Sequence, residues 1–167
     1  EAVADMNIMP NYTTNGVVLT KDILRCSVET CGGVAVSAHK HLPWGDAVRA
    51  YAEAGARTNI HVVIGMEDTV NDLKKWNDEF SQIIDYFVLL PYIPQGRAKP
   101  LEVAEEYDRM FDFIKEIDYR QCAFGAYFFE EIKERKVPAY TYDVHMFSKY
   151  LDMDQMKISE SSFHGTR

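Results

Sequence analysis

Three histidines, one serine and two asparagines sit where apolar runs give way to polar residues. Ser37, His39 and His41 follow GVAV at residues 33–36, Asn59 and His61 punctuate TNIHVVIG, and Asn15 closes IMPNYTTNG at residues 8–16. Imidazoles bind metals or move protons, while hydroxyls and carboxamides orient a ligand through hydrogen bonds. His-x-His at 39 and 41, joined by His61, is a possible ligand set for a metal, although no acidic partner is evident at the other run ends. The plainer alternative is a single inward imidazole bonded to a neighbour. Arg97 follows the stiff sequence PYIPQG and is the candidate for holding a substrate carboxylate or phosphate, against the alternative of a solvated loop arginine. The Asn15-Gly16 pair is also a good turn in its own right, since both residues tolerate positive φ. Cys26, Cys31 and Cys122 are too few and too irregularly spaced for a disulfide scaffold or a zinc knuckle, and read as ordinary thiols in a reduced compartment.

These residues need elements to present them. Apolar runs at residues 8–16, 33–38, 57–64 and 85–90 read as strands, and each is followed by a stretch with helical periodicity. Thr20 is a suitable N-cap for a first helix with Ile23, Leu24 and Val28 inward, ended by Gly32-Gly33. The second helix, at 44–54, carries Trp44, Ala47, Val48 and Tyr51 on one stripe, with Gly55 at its end. A third, from Thr69 to about residue 84, turns Val70, Leu73, Trp76, Phe80 and Ile83 or Ile84 inward. The fourth, at 101–117, turns Val103, Tyr107, Met110, Phe111 and Ile114 inward. Beyond it the rhythm loosens: a short strand at 121–123, a helix at 126–134, a strand at 139–142, then amphipathic turns to Arg167. Strand and helix alternate at a spacing of roughly 25 residues, which predicts parallel βαβ units with right-handed crossovers.

Side-chain alternation chooses between architectures. Val34, Val36, Ile60, Val62 and Ile64 face one way; Ala35, Ser37 and His39, and Asn59 and His61, face the other. A sheet covered by helices on both sides would leave those polar groups dry, so an incomplete TIM-like (β/α) barrel is expected. Residues 1–120 would form the partial barrel and residues 121–167 an extension packed on the same domain.

Of the 167 residues, 47% are hydrophobic and 26% charged, as in a globular protein, and 18 basic against 26 acidic residues give a net charge of −8. With no dense basic run, nucleic acid and anionic membrane surfaces are unsuited partners. No apolar stretch approaches the roughly 20 residues that cross a bilayer. The expected location is the cytoplasm.

YTTNG, VAVSAHK, TNIHVVI and FVLLPYIPQGRA, in that order and spacing, resemble the later strands of a radical SAM enzyme, over about residues 7–100. In that family a Thr-Asn-Gly turn closes the third strand of a partial (β/α)6 barrel and a Ser commonly ends the fourth. The resemblance implies strands 3–6 of such a barrel, with Asn15, Ser37, His39, Asn59 and His61 as cofactor-binding candidates. Ser37 would lie near the ribose or methionine part of S-adenosylmethionine, and Asn59 and His61 would face the lumen. It further implies, for a full-length parent, S-adenosylmethionine, a [4Fe–4S] cluster, reductive cleavage to a 5′-deoxyadenosyl radical, and a small-molecule or peptide substrate. The CxxxCxxC loop that ligates the cluster is absent, as is the Gly-Gly-Glu turn after the second strand. The chain is therefore expected to be a fragment without catalysis of its own. The alternative is a non-radical half-barrel that binds a small ligand or a metal through His39, His41 and His61. A first strand without a predecessor would leave an open parallel edge, which predicts self-association, most simply as a dimer.

Overall fold

The computed structural model describes residues 7–66, 69–94, 99–117, 121–137, 150–152 and 157–159. Five short strands form one parallel sheet in the order of the chain: β1 (Asn11–Thr14), β2 (Gly33–Ser37), β3 (Thr58–Ile64), β4 (Tyr86–Pro91) and β5 (Cys122–Phe124). Between them run α1 (Lys21–Thr30), α2 (Trp44–Glu53), α3 (Thr69–Phe80) and α4 (Ala104–Glu116). A 3₁₀ turn (Ala126–Phe128) and α5 (Phe129–Glu134) follow β5. Right-handed crossovers between neighbours in unbroken order place every connecting helix on one side of the sheet. That is the layout of a section of a (β/α) barrel; a doubly wound sheet would reverse its strand order.

Burial follows the alternation expected from the sequence. Along β3 every second residue is buried, and Val34, Val36, Ile60, Val62 and Ile64 lie against the helices with essentially no exposure. Each such side chain contributes about 1.5–3 kcal/mol of burial. The helical stripe of Trp44, Ala47, Val48 and Tyr51 is buried, as are Val70, Leu73 and Phe80 of α3 and Met110, Phe111, Phe113 and Ile114 of α4. Trp44 packs edge-on against Trp76 and tilted against Phe80, locking α2 to α3.

Several boundaries differ from the sequence expectation. β1 begins at Asn11 rather than near Ile8, because its partner strand begins at Gly33; the Pro10 carbonyl accepts from Gly32 N at 2.9 Å just below the first pair. Val28 is exposed and Ser27 is buried in its place, its hydroxyl donating to the Ile23 carbonyl at 2.6 Å. α3 stops at Phe80, where the Ile83 amide turns back to the Phe80 carbonyl. α4 starts at Ala104; Val103 instead fills the space beside Gly65, whose missing Cβ would lie 2.4 Å from Val103 Cγ1. The sheet continues past residue 120 through β5, at 122–124 rather than 121–123. In the tail, where only turns were expected, β6 (Tyr150–Asp152) pairs antiparallel with β7 (Lys157–Ser159). The strand expected at 139–142 and the loop residue Arg97 lie outside the described residues.

Candidate functional site at the strand ends and open face

The sheet face turned away from the helices carries the polar groups. Register places Ser37 beside His61, His61 beside Val88 and Val88 beside Ala123. The row below runs Thr13, Ala35, Asn59, Tyr86. In a parallel sheet such partners share a face, so Ser37 and His61 in one row lie next to Thr13 and Asn59 in the other.

Above the first row, the Ala38 amide donates to the His61 carbonyl at 2.9 Å and carries the β2–β3 pairing one step past Ser37. The chain then turns, closed by Leu42 N donating to the His39 carbonyl at 2.9 Å. A cavity of about 380 Å³ opens here, lined by Ser37, His39, His41, His61, Asp72 and Trp76 among others. This volume lies in the range of small-molecule sites, about 300–1,000 Å³. His39 and His41 are exposed and His61 is half-buried. Burial pushes the His61 imidazole below its ordinary pKa, so it is neutral near pH 7. All three histidines border the cavity, yet no three His, Cys, Asp or Glu side chains among the described residues are grouped to hold a metal ion. The loop that turns at His39 leaves His39 and His41 on the rim while His61 stays on its strand.

A second, smaller cavity of about 280 Å³ lies lower on the open face, lined by Asn11, Thr13, Gly33, Ala35, Asn59 and His61. Asn59 Oδ1 has almost no exposed surface and, among the described residues, no hydrogen-bond partner. His61 borders both cavities and divides mouth from floor.

Asn15, the remaining strand-end candidate, is exposed, and its Oδ1 accepts from Val17 N at 3.1 Å while Thr14 Oγ1 accepts from Gly16 N at 3.1 Å. Its carboxamide is thus engaged in shaping the turn, with Gly16 at φ +73°. Among the mouth residues, Thr69, Asp72 and Trp76 come from α3; the sequence marks Thr69 as a helix start and Trp76 as an inward helix position, and does not single out Asp72. Asn11 and Thr13 of the floor were missed too, although the period of two along β1 places them on one face.

The three thiols lie elsewhere. Cys122 is buried in β5 among core residues, whereas Cys26 and Cys31 border a cavity of about 420 Å³ by α1, with Tyr12, Ser27 and Tyr51. There Tyr12 bonds Ser27 Oγ at 2.7 Å and Tyr51 at 2.8 Å. Because the Ser27 hydroxyl already donates to Ile23, Tyr12 donates to Ser27 and Tyr51 donates to Tyr12. Burial, then the Tyr12 hydroxyl, pushes the Tyr51 phenol well above its ordinary pKa. No described helix is long and apolar enough to cross a membrane.

No protein-family model matches the sequence, and no curated protein matches it. Solved structures do. SuiB of Streptococcus suis bound to S-adenosylmethionine aligns with a TM-score of 0.61 at 14% identity, over 88% of this chain and 40% of that one. SuiB bound to the precursor peptide SuiA aligns with a TM-score of 0.59 at 15% identity, over 88% and 39%. SuiB without either gives 0.58 at 14% identity, over 88% and 40%. The chain thus spans about 40% of the length of the structure it matches. At such identity the likeness concerns the fold, and it shows that the five parallel strands and their helices match part of a radical SAM barrel.

Proposed function

We propose that this chain is the later part of a radical SAM-like barrel and that its mouth cavity, at the ends of β2 and β3, binds S-adenosylmethionine. The observation that carries this reading is the clustering of Ser37, His39 and His61 at one cavity on the strand ends of a fold shared with a protein that was solved with S-adenosylmethionine. The residues present fit such a ligand. A hydroxyl and a neutral imidazole can hydrogen-bond a ribose or an amino-acid group, and the Trp76 and Leu90 side chains add apolar surface. Asn59, one row lower, borders the floor cavity instead.

A [4Fe–4S] cluster does not fit this chain's own residues. Such a cluster needs thiolates converging on one point. Cys122 belongs to the core, Cys26 and Cys31 to the helix side of the sheet, and no grouping of ligands forms among the described residues. This chain contributes the binding face, and on its own it is a binding half-barrel, not a complete catalyst. The edge of β1 completes the proposal as a surface for self-association.

Equilibrium titration of the purified chain with S-adenosylmethionine tests the reading. Saturable binding is expected, weakened at least tenfold by Ser37→Val and by His61→Ala (about 1.4 kcal/mol for each factor of ten). Absence of binding at millimolar ligand by a chain whose circular dichroism shows it folded would reject it. Iron and sulfide reconstitution should give no visible cluster absorbance.

A further inference from the structure

We propose that Cys26 and Cys31, at the end of α1, form a two-thiolate site for a soft monovalent metal ion, Cu(I). Both residues line one cavity of about 420 Å³ on the helix side of the sheet, and both are only half-buried, so an ion can reach them. Cys26 lies within α1, whereas Cys31 is its C-cap and already has extended backbone, at φ −101° and ψ 144°. The Cys31 amide stays tied to the Ser27 carbonyl at 3.1 Å, and the two side chains meet at Thr30. Thr30 Oγ1 is 3.6 Å from Cys26 Sγ and 3.8 Å from Cys31 Sγ. The Thr30 hydroxyl gives its own proton to the Cys26 carbonyl at 2.8 Å, so both thiols donate to the one oxygen. An ion that takes both sulfurs as thiolates replaces those two converging protons and releases them to solvent.

The number of donors narrows the class. Zinc takes three or four protein ligands and iron–sulfur clusters take four, and no three His, Cys, Asp or Glu side chains are grouped among the described residues. Cu(I) is a soft ion that thiolates select, and its filled d shell lets it accept two sulfurs in a line. The other lining residues, Tyr12, Ser27 and Tyr51 among them, include no ammonium, guanidinium or carboxylate that would compete for the thiolates or for the ion. Two thiolates and Cu(I) leave one negative charge, and the half-exposed position keeps that charge in touch with water, where it costs little. This cavity shares no lining residue with the mouth at the strand ends, so the thiol site stands or falls separately from S-adenosylmethionine binding.

The test is competition of the full chain for Cu(I) held by bicinchoninate, without oxygen and with ascorbate as reductant. Each chain should take up one ion, and Zn(II) should not displace it. Cys26→Ser and Cys31→Ser, each close in size to the native residue, should weaken uptake by about a hundredfold, because a single thiolate cannot complete the pair. His39→Ala should leave uptake unchanged. X-ray absorption at the copper edge, which needs no variant, should show two sulfur neighbours in the wild type. Uptake that persists in both serine variants, nitrogen neighbours at the copper, one ion shared between two chains, or no uptake by a chain whose circular dichroism shows it folded would each overturn the site.

Discussion

Gly16 carries two demands that no larger residue can meet, since its φ is +73° and a Cβ there would lie 2.8 Å from that of Ala47 and 3.2 Å from Trp44 Cα. Either the turn after β1 or the start of α2 would have to give way. Gly16→Ala should therefore cost about 1–3 kcal/mol, read as a lower thermal midpoint with no change of secondary structure. His61 makes a different kind of prediction. Its folded pKa is depressed by burial, so the unfolded chain binds a proton more readily than the native one. Its contribution to stability is fully present above the unfolded value of about 6.5. It is lost as pH falls through the folded pKa. Urea midpoints of wild type should fall between about pH 7.5 and about pH 5 more steeply than those of His61→Gln. Parallel slopes would show that the imidazole is as free to protonate in the fold as outside it.

Among the elements, the strand–helix alternation was legible because its two periods differ so clearly: Val34 and Val36, or Ile60, Val62 and Ile64, against Trp44, Ala47, Val48 and Tyr51. The polar side of β2 and β3 was legible for the same reason, and it led to Ser37, Asn59 and His61. What escaped was whatever depends on contacts distant in sequence. Ser27 is buried because Tyr12, 15 residues before it, and Tyr51, 39 residues after Tyr12, join it in one hydroxyl chain; periodicity alone favoured Val28. The early start expected for α4 failed because Val103 is drawn into the gap beside Gly65. The floor cavity needed register as well as alternation, since Asn59 faces Thr13 only through Ala35.

At the scale of the whole molecule, β1 is one edge of the sheet formed by the described residues, and β5 is the other. Half of the exposed large hydrophobic residues among those described flank β1 in the chain or lie on α1 after it, at Ile8, Met9, Val17, Val18 and Val28, with Met9 at 74% and Val18 at 67% exposure. Residues 7–20 carry no charged side chain although the chain's net charge is −8, so two copies can meet there without repulsion. An edge without lysine or a bulge invites pairing. Light scattering at micromolar concentration should therefore report a dimer, and Met9→Glu with Val18→Glu should return it to monomer. A wild-type monomer would show that this surface is not self-complementary.

The mouth of the half-barrel is tested most directly by mapping S-adenosylmethionine onto the amide spectrum of the folded chain. Binding at the strand ends predicts saturable shifts at Ser37, Ala38 and His61 and in the turn from His39 to Leu42. Shifts confined to the helix-side cavity near Cys26 and Cys31, or none at millimolar ligand, would contradict it.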